Sequence, residues 1–210
     1  MFNIRLVHTS LKIAWTGKND GDGRDFDPSV FAQNTTKLLL EHESVIAFAG
    51  ENKTSLQCDG AWSDKPNHAL FMTVGDCFPI VLWNEKTSVF SLVHGGWRSL
   101  QRGILENACK LLSPTHAWIG FGLRSCCNTA SDNAFAGNPT LAQYVTKERQ
   151  GYRYDLVSYI KDVLTSYNVD TVNLNICTYC TESDYFSHRR SVHQKQKQDP
   201  RHLIAVWREV

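Results

Sequence analysis

An excess of charge of one sign is missing from this chain. Its 210 residues carry 22 Lys and Arg against 21 Asp and Glu, a formal net charge of +1. Electrostatic capture of nucleic acid or of an anionic membrane needs a basic excess, so the composition points to neither partner. Long apolar runs are missing too, and nothing approaches the ~20 residues that cross a bilayer. The opening residues, Met1-Phe2-Asn3-Ile4-Arg5, lack the basic start and apolar core of a secretory signal. A cytoplasmic location is therefore expected, with the seven cysteines reduced and some of them ligands or catalytic. There is no Walker A loop, no GxGxxG, no GxSxG elbow and no HExxH, which argues against ATPase, Rossmann dehydrogenase, serine hydrolase and thermolysin-like chemistry. None of the eight histidines stands in an HxH pair, as multicopper sites require. The Asp-rich loop over residues 16–28 lacks the closing Glu of a calcium loop. It is expected to be exposed, as a possible rim of a site. No internal repeat and no linker interrupts the chain, so a single domain over 1–210 is expected.

What is present is concentrated in residues 72–109. Apolar runs over 69–74, 78–83 and 88–93 have the β-branched and aromatic content of strands. The first stops at Gly75-Asp76-Cys77 and the third at His94-Gly95-Gly96-Trp97-Arg98. Leu100, Ile104, Leu105, Ala108, Leu111 and Leu112 then recur at helical spacing, with Ser99 as the expected N-cap and Ser113-Pro114 as the stop. Cys77 and His94 are thus expected at strand ends, where side chains project into a rim open to ligands. A thiol beside an imidazole is a metal-ligand pair or a nucleophile-base pair. Arg98 opens a helix after a glycine pair and suits phosphate or carboxylate.

Elsewhere, strands are expected at 4–7, 11–15, 117–121, 172–177 and 203–207. Helices are expected at 29–40, 141–148 and, from Leu156, Ile160, Val163, Leu164 and Tyr167, near the C-terminal third. Residues 49–59 are expected as a polar connection and 191–201 as a mobile basic loop. Cys177-Thr178-Tyr179-Cys180 is a lone CxxC, and the adjacent Cys126-Cys127 is expected to complete a metal site poorly, so these read as ordinary thiols. His42, between Glu41 and Glu43, reads by itself as a surface histidine. Arg189, beside His188 and Arg190, reads equally as a phosphate ligand or a solvated turn.

Two motifs together carry a resemblance: Gly75-Asp76-Cys77-Phe78-Pro79, and His94-Gly95-Gly96-Trp97-Arg98-Ser99 running into Gly103-Ile104-Leu105-Glu106-Asn107. They resemble the laccase-domain, or multicopper polyphenol oxidase, family, which is now linked to purine nucleoside phosphorylase and adenosine deaminase activity. Asp59 to Pro66, Ile119-Gly120-Phe121-Gly122, Cys177-Thr178 and Phe186 to Arg190 are similar to further family segments. The chain departs from the pattern at Glu41-His42-Glu43, where the histidine alone is retained, at Ser99, and at Asn128-Thr129-Ala130. The resemblance implies a mixed-sheet α/β fold related to a toxin-like cysteine hydrolase. It also implies a zinc ion held by His42, Cys77 and His94, with Arg98 and, more weakly, Arg189 on phosphate. Catalytic residues would be His42, Cys77, His94 and Arg98, acting on a purine nucleoside with inorganic phosphate, with Glu41 or Glu43 as proton shuttle. Three alternatives stand beside this one. They are a cysteine-type amidase editing peptidoglycan precursors, a copper polyphenol oxidase, and an inactive binding protein.

Overall fold

The computed structural model describes residues 3–6, 10–50 and 53–209, with the backbone alone for 3–6. Val7, Glu51 and Asn52, which fall within predicted segments, lie outside the described residues. One six-stranded sheet runs in spatial order β1 (Asn3–Leu6), β2 (Leu11–Trp15), β15 (His202–Arg208), β7 (His68–Val74), β3 (Asn34–Leu39) and β5 (Ser55–Gln57). A second runs β14 (Asp170–Asn173), β10 (His116–Ile119), β8 (Phe78–Trp83), β9 (Phe90–Gly95), β6 (Gly60–Ser63) and β4 (Ile46–Phe48). A small third sheet holds β11 (Thr129–Ala130), β13 (Gly151–Tyr154) and β12 (Val145–Glu148). The helices are α1 (Trp97–Gln101), α2 (Ile104–Leu112), α3 (Pro139–Ala142), α4 (Leu156–Ser166) and α5 (His188–His193). Both large sheets mix parallel and antiparallel pairs, so the fold is mixed α/β. No helix among the described residues is long and apolar enough to cross a membrane.

Strand periodicity explains the layering. In β8, Ile80 and Leu82 face one way and pack with Leu100, Ile104, Leu105, Ile160 and Leu164 of the helices. Val81 and Trp83 face the other way and meet Leu70, Met72, Ile204 and Val206 across the gap between the sheets. The outer face of the first sheet is covered in turn, with Phe71, Leu203 and Trp207 packing on Phe31 and, partly, Phe26. Strands buried on both faces have no solvated side, which is why β8 reads as an unbroken apolar run and β9 as one broken only by Ser91 and His94; both are buried at every position.

Several expected elements take another form. Residues 29–40 are not helical: a short 3₁₀ turn over Pro28–Val30 leads into β3. Thr36 and Leu38 of that strand are buried while Asn34 and Leu39 are exposed, and β-branched Thr35 and Thr36 favour extended backbone. The central helix is two helices, broken at Gly103, whose φ is +78°. Ser99 lies inside α1 rather than capping it. The expected helix at 141–148 shrinks to four residues before the chain turns into the β12–β13 hairpin. The strand expected to 177 ends at Asn173, and α5 takes the start of the segment expected as a loop at 191–201.

Because α2 is amphipathic, its leucines differ sharply. Leu105 is 0% exposed and Leu111 is 56% exposed. Leu105→Ala is expected to cost about 2–5 kcal/mol and Leu111→Ala within about 0.5 kcal/mol, read from chemical denaturation midpoints. Equal costs would refute the packing of α2 on the second sheet.

Candidate active site

Strand pairing brings Cys77 and His94 together. In the antiparallel β8–β9 register, Pro79 lies opposite His94 and Phe78 opposite Gly95, so the residue just before β8 arrives beside the end of β9. Gly96 is needed for this approach. A Cβ there would lie 2.6 Å from His94 Cε1 and 3.3 Å from Cys77 Sγ, closer than a carbon can stand to a ring. His94 is 1% exposed and its ring flanks Gly96 together with the Cys77 sulfur. The His42 ring meets the His94 ring edge-on, with centroids 5.2 Å apart. Three predicted ligands separated in sequence thus lie in one neighbourhood, His42 beside His94 and His94 beside Cys77, although among the described residues the group whose ligand atoms all converge is a different one, Cys126, Cys127, Cys177 and Cys180.

Asp59 assembles them, and reading the sequence alone gave it no such role. Its carboxylate is fully buried and accepts from the backbone N–H groups of Glu41, His42 and Glu43 at 3.2, 3.0 and 2.8 Å. It also accepts from His94 Nδ1 at 2.8 Å and from Ser99 Oγ at 3.2 Å. His42 is held at φ +61°, a left-handed conformation costly for a residue with a side chain. Three N–H groups converging on one carboxylate hold it there. The sequence signal for Asp59 was only that it begins a segment similar to the family's.

The electrostatics separate the two imidazoles. Burial works to lower the pKa of His94, but attraction to Cys77 and the hydrogen bonds to Asp59 and Cys77 outweigh it and raise it to about 9. Burial and the neighbouring His94 lower that of His42, against a smaller opposite pull from Asp59. Burial pushes Asp59 up, yet its donors prevail and hold it at about 2. A neutral His42 keeps a lone pair for a metal or a proton. With Nδ1 of His94 bonded to a carboxylate, its Nε2 is oriented toward the thiol, as in carboxylate–histidine–metal arrangements. One thiol and two imidazoles are a donor set that suits zinc and leaves a fourth tetrahedral position open.

His42 and Cys77 open onto a cavity of about 530 Å³ that Arg98, Arg189 and Asp76 also line. Arg98 stacks its guanidinium 4.4 Å above the Trp97 ring. The Arg189 backbone N–H donates to Asp76 at 2.6 Å, and its guanidinium donates to the Thr129 carbonyl. Asp76, a second unforeseen residue, also accepts from Thr178 Oγ1 at 2.6 Å, so it ties the Cys77 turn both to α5 and to the Cys177–Cys180 segment. A second cavity of about 320 Å³, lined by Trp97, Phe135 and Tyr154, shares Arg98 and Arg189 with the first. The two arginines therefore stand between the Cys77 end and an aromatic pocket.

Other expected residues fall outside. Glu41 and Glu43 do not line the cavity, and the Glu43 carboxylate lies 3.2 Å from Arg102 Nε. It is their backbone N–H groups that bind Asp59. None of residues 16–28 lines it; Gly23 instead donates to Arg201 O at 2.8 Å. Arg190 is buried and holds the carbonyls of Thr178 and Tyr179 at 3.0 and 2.8 Å. The expectation of four unrelated thiols also changes. The sulfurs of Cys126, Cys127, Cys177 and Cys180 all lie within 4.8 Å of one another.

Comparison with known proteins identifies the family and the fold. The family model described as multi-copper polyphenol oxidoreductase laccase matches residues 30–209. A purine nucleoside phosphorylase of Clostridium acetobutylicum is 27% identical over 164 residues, covering 73% of this chain and 70% of the relative. One from Borreliella burgdorferi is 28% identical over 146 residues, covering 63% of each chain. A similar protein from Escherichia coli, named purine nucleoside phosphorylase YfiH, is 24% identical over 157 residues, 70% of this chain and 65% of its own. The chain thus spans about two thirds of the length of these relatives. Among solved structures, a Neisseria meningitidis protein superposes with a TM-score of 0.80 at 18% identity, covering 100% of this chain and 99% of its own. YlmD from Geobacillus stearothermophilus superposes at 0.79 with 19% identity, covering 96% and 93%. The fold is the same in both.

Asp59→Asn is expected to destabilise the protein at neutral pH by about 2 kcal/mol, since the carboxylate sits near 2 in the fold against 3.8 without it. A depressed carboxylate stabilises above its unfolded value. The difference between wild type and variant should therefore hold above about pH 4 and vanish as pH falls toward 2. Denaturation midpoints across that range check it, and a gap that persists at the acid end would refute it.

Proposed function

Because the chain belongs to the multi-copper polyphenol oxidoreductase laccase family, we propose that it is a purine nucleoside phosphorylase. One observation carries the reading: Arg98 and Arg189 are shared between the Cys77–His42 cavity and the aromatic pocket. A nucleoside undergoing phosphorolysis needs a flat apolar pocket for the base, cations for phosphate, and polar groups at the junction. The relatives named purine nucleoside phosphorylase support the substrate class.

In this reading the purine packs against Trp97, Phe135 and Tyr154, which offer the π faces and edges that aromatic rings prefer. Arg98, with Arg189 behind it, holds inorganic phosphate by charge-assisted hydrogen bonds. A phosphate oxygen attacks ribose C1′, the glycosidic C–N bond breaks, and the purine takes up a proton as it leaves. Confinement between pocket and arginines aligns the two reactants. His42, Cys77 and His94 would hold a zinc ion, which supplies Lewis-acid polarisation of a substrate atom when bound. Adenosine deamination at the same site is the finer extension of this reading. The family's copper name finds less support in the donor set, since none of the eight histidines forms an HxH pair.

A second reading rests on a different observation. His94 is hydrogen-bonded to Asp59 at 2.8 Å and has the Cys77 sulfur beside its ring, the nucleophile–base–orienter order of a cysteine hydrolase. It requires amide cleavage that survives chelation and stops on alkylation of Cys77.

Inosine and adenosine are to be incubated with the purified protein with and without phosphate. Hypoxanthine or adenine together with ribose 1-phosphate should form only when phosphate is present. Inosine and ammonia from adenosine would mark deamination, whereas base release without phosphate, or no turnover, refutes phosphorolysis. Arg98→Gln should raise the KM for phosphate by about 10- to 100-fold, the loss of one charge-assisted hydrogen bond. An unchanged KM would remove Arg98 from the phosphate site.

A further inference from the structure

We propose that Cys126, Cys127, Cys177 and Cys180 form a second zinc site, a structural tetrathiolate separate from the His42–Cys77–His94 set. The four sulfurs all lie within 4.8 Å of one another. Cys127 and Cys180 are 3.2 Å apart, and Cys126 and Cys180 3.6 Å. Zinc bonds of about 2.3 Å in a tetrahedron separate sulfurs by about 3.8 Å, so the cluster already has the size of a loaded site. None of the four is in a disulfide.

Two segments far apart in sequence supply the ligands, and each is built as a tight turn. Cys127 and Asn128 both donate backbone N–H to the Arg124 carbonyl, at 2.9 and 2.8 Å, and this turn sends two adjacent cysteines to the same side. Thr181 donates to the Cys177 carbonyl at 3.0 Å, closing the CxxC. The turns are fastened together by Gly122 N–H to Ile176 O at 3.2 Å and Thr178 N–H to Gly122 O at 3.0 Å.

Two guanidiniums, each also paired with a glutamate, stand by the turns. Four thiolates on a divalent ion leave a net charge of about −2. Arg190, 3% exposed, binds the Thr178 and Tyr179 carbonyls within the CxxC. Arg153, which also pairs with Glu148, donates to the Ser125 carbonyl at 2.5 Å. A guanidinium thus braces each turn. Cys177 is buried while Cys126 and Cys180 are exposed, so an ion can enter from one side. The segment after Cys127 supplies Asn128, Thr129 and Ala130 to the cavity wall, and Thr129 O receives the Arg189 guanidinium. The ion would hold that wall from behind.

The test is metal content by elemental analysis, after purification under reducing conditions, for wild type, Cys180→Ser, Cys126→Ser and Cys77→Ala. Each outer-cluster variant should lose about one zinc per chain, whatever the Cys77 variant does, so the two sites are read independently. Cobalt substitution should give intense tetrathiolate absorption in wild type and Cys77→Ala, and lose it in Cys180→Ser. If the variants fail to fold, alkylation of wild type decides: these four thiols should react only after chelation. Zinc content unchanged in both cluster variants, absence of the cobalt tetrathiolate spectrum in wild type, or alkylation unaffected by chelation would overturn the site. So would a Cys127–Cys180 disulfide found by mass spectrometry in the freshly purified protein.

Discussion

Five donors converging on the carboxylate of Asp59 hold the candidate active site together. Three come from consecutive backbone N–H groups, one from an imidazole and one from a hydroxyl. A buried carboxylate is costly unless its lone pairs are filled, and here filling them does structural work at a distance. The same five bonds hold His42 in a strained backbone conformation, orient the ring of His94 and anchor the first helix through Ser99. Removing this carboxylate would leave three N–H groups and a buried imidazole without their partner. The site's histidines are therefore properties of Asp59 as much as of their own positions.

The sheet supplies the remaining precision. Cys77 precedes β8 and His94 ends β9, and an antiparallel register with both strands buried on both faces allows no slip. A shift of one residue would turn Ile80 and Leu82 from the helical layer to the gap between sheets. Reactive groups at such strand ends are held by the whole core, while the substrate side of the cavity is assembled from α1, α5 and the segment around residue 129. This division places sheet-held groups beside a wall of short helices and a two-residue strand.

The Cys77 turn and the four-cysteine cluster are linked through Asp76. Asp76 accepts from Thr178 and from Arg189, so the turn that carries Cys77 is bonded directly to the CxxC and to the cavity arginine. Whatever orders the four-cysteine cluster is coupled by these bonds to the cavity wall. Arginine plays different parts within one Arg189-Arg190 pair: the first reaches the cavity, and the second is buried under the Thr178 and Tyr179 carbonyls.

Local sequence determined the elements whose signal is local. The apolar runs of β7, β8 and β9, the amphipathic face of α4 and the closing strand β15 are readable because burial on one or both faces writes a period, or its absence, into consecutive residues. Cys77, His94 and Arg98 stand out as candidates in the sequence because motif residues flank those strands, and His42 and Arg189 through the family resemblance. Tertiary structure alone decided the rest. Whether 34–39 is strand or helix depends on β7 and β5 lying alongside it. Asp59 reaches His94 across 35 residues, and Cys126 reaches Cys180 across 54. Neither pairing leaves a mark on the residues between them. A carboxylate's partners and a metal cluster's members are set by which chain segments the packed sheets bring into contact, and that is a property of the whole fold.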